Sequence, residues 1–160
     1  MPGPITIEDL AKSLPVKARL IGVDLGAKTI GLAISDIERR LASPLKTLRR
    51  AAFARDADAL NLILAEFDIA GIVLGLPLDL DGRDSPRAQS TRAFARNLAK
   101  QTRLPIVFWD ERFSTAVVTR SLIANDVSRA RRAEVVDKMA AAYILQGALD
   151  RLAGLSQPRD

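Results

Sequence analysis

The chain has 160 residues, enough for one domain with a substantial core, and its 48% hydrophobic and 27% charged residues are ordinary for a globular protein. It contains neither cysteine nor histidine, which excludes disulfides, thiolate and imidazole metal sites, and Ser-His-Asp triads. Its 24 Lys+Arg against 19 Asp+Glu leave a net charge of +5, a balance that favours a polyanionic partner such as nucleic acid without requiring one. Any catalysis must therefore rest on carboxylates, lysines, hydroxyls or a metal held by oxygen, and oxygen ligands favour Mg²⁺ and Mn²⁺. The apolar runs are far short of a membrane span, and Met1-Pro2-Gly3-Pro4 carries no basic or apolar leader pattern, so a cytoplasmic protein is expected.

Residues 5–14 read as a short amphipathic helix, with Thr6 and Asp9 resembling a capping box and Pro15 as its stop. Residues 1–17 are expected to be an extension on a domain spanning 18–152, with 153–160 a flexible tail. Two apolar, β-branched runs, 18–24 and 29–35, flank the small-residue turn Leu25-Gly26-Ala27-Lys28 and predict a hairpin. A third strand, 42–48, contains Pro44 and so belongs at an edge. The period then changes: Leu60, Ile63, Leu64 and Phe67 predict a helix over 53–67. The continuous apolar run 70–76 predicts a strand buried on both faces. A polar loop, 78–86, precedes a helix over 87–102, in which Arg92 and Arg96 stand one turn apart. A further buried strand, 105–109, ends in Asp110-Glu111-Arg112. Ser114 is placed to cap a helix over 115–124. The segment 125–132 is polar and basic, and a final helix spans 133–152 with Val136, Met139, Ala140, Tyr143, Ile144 and Leu152 inward. The order β-β-β-α-β-α-β-α-α implies an α/β fold: a five-stranded mixed sheet, an antiparallel meander plus parallel strands, with helices on both faces.

Asp24 and Glu111 fall at the carboxyl ends of strands that this topology makes parallel, where open sheets place their ligands. Asp137 lies on a helix face otherwise rich in alanine, with Ala133, Ala140 and Ala141 as neighbours, and small residues there let the helix approach the sheet edge. A buried carboxylate on such a face is costly unless a cation compensates it. Three carboxylates around Mg²⁺ make an open site suited to phosphodiester hydrolysis, and no histidine is needed. Each residue also has an ordinary structural role available. Asp24 can cap its own turn, and Glu111 alone more commonly forms half of an ion pair with Arg112. Asp137 can pair with Lys138 or a surface arginine, and Asp110 can replace Glu111 as the functional acid. Lys28 can simply decorate a turn, and the run Arg129, Arg131, Arg132 is more often a solvated face than a phosphate site. The functional reading rests on the acids converging.

Four blocks occur in order: Gly22-Val23-Asp24-Leu25-Gly26-Ala27-Lys28-Thr29-Ile30-Gly31-Leu32-Ala33, Gly75-Leu76-Pro77, Asp110-Glu111-Arg112-Phe113-Ser114-Thr115, and Val136-Asp137-Lys138-Met139-Ala140-Ala141. Together, over about residues 20–152, the chain resembles the YqgF family of bacterial ribonuclease H-like proteins, described both as Holliday junction resolvases and as pre-16S ribosomal RNA nucleases. The resemblance implies an RNase H-like fold and divalent-metal nuclease chemistry. It carries the family's acids onto Asp24, Glu111 and Asp137, as metal ligands and catalytic groups. It also places Arg112, Ser114 and Thr115 where they position substrate or the acid, with Ser114 standing where threonine is common. Many RNase H-like nucleases put their second acid after the fourth strand; here that strand ends in Gly75-Leu76-Pro77, so Glu111 after the fifth must serve.

The expected activity is a Mg²⁺- or Mn²⁺-dependent endonuclease maturing the 5′ end of small-subunit ribosomal RNA, on precursor RNA or ribosomal particles. Lys28, Arg83, Arg129, Arg131 and Arg132 would then hold phosphates. The nearest alternative is a resolvase of four-way DNA junctions, which requires a symmetric homodimer rather than a monomer. Asp24-Leu25-Gly26 near a hairpin also resembles the phosphate motif of sugar kinases and chaperone ATPases, but those close two such domains on ATP and this chain supplies one. A non-catalytic RNA- or ribosome-binding protein is the remaining class, although three acids beside phosphates would only weaken binding.

Overall fold

The computed structural model describes residues 3–113 and 129–156. The elements are α1 (Ile7–Ser13), β1 (Arg19–Leu25), β2 (Thr29–Ser35), β3 (Ala42–Arg49), α2 (Phe53–Glu66), β4 (Ile69–Leu76), α3 (Pro86–Ala99), β5 (Ile106–Asp110), a 3₁₀ turn over Glu111–Phe113, and α4 (Arg129–Ser156). The sheet order is β3-β2-β1-β4-β5. β1–β2 and β2–β3 are antiparallel, whereas β1–β4 and β4–β5 are parallel. This is the mixed five-stranded sheet expected from the order of elements.

Alternation along the strands sorts the core into two layers. Ile21, Val23, Leu25, Ile30, Leu32, Ile72 and Leu74 face α2 and α3, where Leu60, Leu64, Phe94 and Leu98 meet them. Leu20, Ala33, Val73 and Val107 face the opposite way, onto α4 and α1. The α4 side is lined by Ala140, Ala141, Ile144, Leu145, Ala148 and Leu149, all at most 1% exposed. Leu10 of α1 is fully buried in this layer. Thr6 caps α1 by accepting the Asp9 amide at 3.1 Å, and Ile5 bridges to Val107 in parallel. β3 is the edge strand, and Pro44 sits where its register against β2 shifts, a place that tolerates the missing N–H.

Several expectations need correction. Residues 129–132, placed before the final helix, belong to α4, because arginine is a strong helix former and polar composition alone does not stop a helix. Gly154, expected in the tail, lies inside α4, which continues to Ser156; one glycine weakens a helix without ending it. α4 lies across the sheet face over β1 and β2 rather than at the sheet edge: a Cβ at Gly22 would stand 2.9 Å from the Ala141 carbonyl. Tyr143 is not inward but 38% exposed, since the buried stripe centres on Ala141, Leu145 and Ala148 and leaves position 143 on its flank. The helix expected over 115–124 lies outside the described residues.

Candidate active site

β1 delivers Asp24 to its C-terminal end with the carboxylate 1% exposed. Asp24 sits on the α4 side of the sheet, in step with Leu20 and Gly22. Its partner across β2 is Gly31, and the β1–β4 register places Gly75 beside it on the other flank. Both neighbours of the buried acid are therefore residues without a side chain. That bare floor is what admits the other two acids. A Cβ at Gly75 would come 3.3 Å from Glu111 Oε1, and one at Gly26 would come 3.5 Å from Asp137 Oδ2. At Gly31 it would run into the backbone of Asp137 and stand 2.9 Å from the Lys138 amide. Asp24, Glu111 and Asp137 are thus brought to one end of the sheet, each against a glycine next to Asp24 or in the turn that follows it.

Glu111 opens the 3₁₀ turn that follows β5 and is 4% exposed. Asp110 is the acid engaged by Arg112, through Nε at 3.0 Å and Nη2 at 2.6 Å. This pairing, led by the Arg112 side-chain hydrogen bond, holds the Asp110 carboxyl below the usual carboxylate range and raises the Arg112 guanidinium in turn. Chain alternation separates the two neighbours: Asp110 takes the ion pair and Glu111 turns inward. Asp137 is partly buried, and its Oδ2 accepts a hydrogen bond from the Thr29 hydroxyl. That partner was not anticipated, because Thr29 reads in sequence as an ordinary β-branched strand residue.

The cations come from several elements. Lys28 is exposed in the β1–β2 turn, and its carbonyl accepts the Arg50 amide at 2.8 Å. Arg83 is exposed in the loop after β4, 3.4 Å from Asp81. Arg112 Nη1 donates to the Leu80 carbonyl at 3.2 Å, so this side chain fastens the loop to the end of β5. The loop is closed at its base by Ser85, whose hydroxyl donates to the Pro77 carbonyl at 2.6 Å. Arg129, Arg131 and Arg132 fall in the opening turn of α4. Ser114 and Thr115 lie outside the described residues. Sequence reasoning missed Arg87, whose Nη2 donates to the Leu25 carbonyl at 2.9 Å and stands 4.0 Å from Asp24 Oδ1. The available signal was Ser85-Pro86, a helix cap and first-turn proline that fix where α3 begins.

The donor chemistry of the three acids is oxygen only, which fits a hard divalent cation. Among the described residues, however, no three acids are gathered as a ready cation site; Asp137 is turned to Thr29. Also among the described residues, no helix is long and apolar enough to cross a membrane.

A family model described as "RuvX: Holliday junction resolvase" matches residues 18–151. A protein of Beijerinckia indica subsp. indica is 55% identical over 156 residues, covering 98% of this chain and 94% of its own length. One from Rhodopseudomonas palustris (strain TIE-1) is 62% identical over 141 residues, 88% of each chain. Both bear the name "Putative pre-16S rRNA nuclease". Among solved structures, Thermus thermophilus RuvC in complex with Holliday junction substrate superposes with a TM-score of 0.55 at 13% identity, over 89% of this chain and 99% of that one. At that identity the likeness speaks for the fold alone.

Proposed function

The chain belongs to the RuvX family, and on that footing we propose that it is an endonuclease hydrolysing phosphodiester bonds of structured nucleic acid, with precursor small-subunit ribosomal RNA, cut near its 5′ end, as the substrate. The observation that carries the proposal is the glycine-floored end of the sheet, with Asp24 at its centre and Glu111 and Asp137 each lying against one of Gly26, Gly31 and Gly75. The names of the close relatives support ribosomal RNA as the substrate.

Asp24, Glu111 and Asp137 would hold Mg²⁺ or Mn²⁺. When bound, such a cation supplies positive charge for activating water and stabilising the leaving oxygen. The end of β1 presents Asp24 and the turn after β5 presents Glu111, both buried. Asp137 accepts the Thr29 hydroxyl at Oδ2, so Thr29 sets where that carboxylate stands. Arg112, by tying the loop after β4 to β5, shapes the rim against which the substrate lies. Lys28, Arg83, Arg129, Arg131 and Arg132 are assigned to substrate phosphates, and Ser114 and Thr115 to positioning the strand.

The family description and the fold likeness favour a second reading, resolution of four-way DNA junctions. The test runs both substrates side by side: labelled precursor ribosomal RNA and a four-way DNA junction, each with Mg²⁺, Mn²⁺ or EDTA. Asp24→Asn is the control. Cutting of the RNA only with metal, lost in Asp24→Asn by at least about a hundredfold, is the expected outcome. Cutting of the junction alone transfers the assignment to resolvase. Binding of RNA that is indifferent to metal and to the substitution, with no cleavage, removes the catalytic reading.

A further inference from the structure

Beside the acids, on the other side of the β1–β2 turn, lies a cavity of about 200 Å³ bounded by Leu25, Gly26 and Ala27, the first turn of α3, and the side of Arg50. Two arginines converge on it from different elements. Arg87 comes from α3 and is pinned by its Nη2 to the Leu25 carbonyl at 2.9 Å. Arg50 follows β3 and is pinned by its Nη1 to the Gly26 carbonyl at 2.8 Å, while its amide donates to the Lys28 carbonyl. Successive carbonyls of the segment just after Asp24 therefore hold the two guanidiniums in place. A guanidinium carries five N–H donors, and these bonds leave most of them for a ligand. No carboxylate is among the described residues lining the cavity. Asp24 approaches Arg87 from outside it, at 4.0 Å. The Thr91 hydroxyl is turned to the Arg87 carbonyl at 3.0 Å, whereas Ser90 is exposed at the cavity wall.

Two rigidly held, partly exposed guanidiniums facing a cavity without acids have the chemistry of a phosphate site. A lone surface arginine loses side-chain entropy when it grips an anion; these two have already been ordered by the backbone. The placement is equally specific. Arg87 lines the cavity and also stands 4.0 Å from Asp24 Oδ1, so one side chain links an anion bound there to the acid end of the sheet. We infer that the Arg50–Arg87 cavity is a phosphate subsite that grips a backbone phosphate of the substrate strand next to the one being hydrolysed, and thereby sets the register of cutting. This rests on the nuclease reading for its substrate, but not for its chemistry.

The test has two arms that separate those dependencies. In the first, the protein is titrated with inorganic phosphate in EDTA and followed by amide NMR. Shifts at Gly26, Ala27 and Ser90, abolished in Arg50→Gln/Arg87→Gln, are expected. In the second, binding of a precursor ribosomal RNA fragment is measured in EDTA across a salt series. The double variant is expected to bind at least about tenfold more weakly, with the log–log salt slope reduced by about 1 to 2. Because both arginines also pin the turn, Ser90→Asp serves as the second variant. It adds a negative charge at the cavity wall, removes none of the pinning bonds, and is expected to weaken RNA binding while leaving thermal stability unchanged. Wild-type RNA affinity and salt slope in both variants would overturn the inference, as would an absence of phosphate shifts. If phosphate binds as expected but the wild-type protein cuts no nucleic acid with any metal, the nuclease reading fails and the assigned substrate falls with it.

Discussion

Asp110 and Glu111 are adjacent in sequence and chemically alike, yet their surroundings give them different work. Asp110 receives two arginine nitrogens and the Arg112 amide at 2.9 Å, and Arg112 passes the connection on to the Leu80 carbonyl. Glu111 faces the interior beside Gly75. The pairing makes a prediction about acid stability. Arg112 holds the folded Asp110 carboxyl below its ordinary value of 3.8, so the unfolded chain binds the proton more readily. The pairing therefore contributes fully above that ordinary value, and its contribution is lost as pH falls through the lower folded one. Asp110→Asn is expected to lower the urea midpoint at neutral pH. The gap from wild type should close on acidification, over the range from about pH 4 downward. A gap that persists unchanged at pH 2 would mean that the pair contributes through packing rather than charge. Because Arg112 also fastens the loop, the same substitution should speed proteolysis between Leu78 and Ser85.

At the scale of elements, the decisive contact is α4 against the sheet. The helix approaches so closely that Gly22 and Gly31 have no room for a methyl group: a Cβ at Gly22 would stand 2.7 Å from Leu145 Cβ, and one at Gly31 would meet the helix backbone at Asp137. The obstacle at Gly31 is main chain, which cannot rotate aside, so Gly31→Ala should cost about 3 kcal/mol, read from urea unfolding. It should also displace Asp137, so that cleavage falls further than the fraction folded accounts for. Wild-type stability would show that the helix can shift outward freely and that its closeness is not needed. This contact also explains what sequence could and could not reveal. The strands, the two central helices and the position of Asp24 follow from local period and turn chemistry, which neighbouring residues carry by themselves. The alanines around Asp137 correctly announce a close approach but not its target, because a stripe of small residues fits a sheet face as well as an edge. Arg50 and Arg87 are 37 positions apart in the numbering and meet only because β3 ends and α3 begins near the same turn. No local pattern encodes such a meeting, and the same holds for Thr29 and Asp137.

For the whole molecule, the choice between RNA and a DNA junction is a matter of stoichiometry before it is one of sequence recognition. The net charge of +5 favours polyphosphates of either kind, and phosphate contacts do not distinguish bases. On the proposed reading, one chain carries one group of Asp24, Glu111 and Asp137 and would cut one strand at a time. Maturing one end of a ribosomal RNA precursor asks for one cut. Resolving a four-way junction asks for two cuts related by symmetry, and hence two chains held in a fixed relation. Initial rates therefore separate the readings when protein concentration is varied well below that of the substrate. For the proposed function, precursor RNA cleavage should rise linearly with protein, and nicked junctions should accumulate without paired second cuts. If junction cleavage instead rises with the square of concentration and delivers both cuts together, while RNA cleavage stays slow, the working unit is a dimer. Ribosomal RNA would then be an incidental substrate of a junction enzyme.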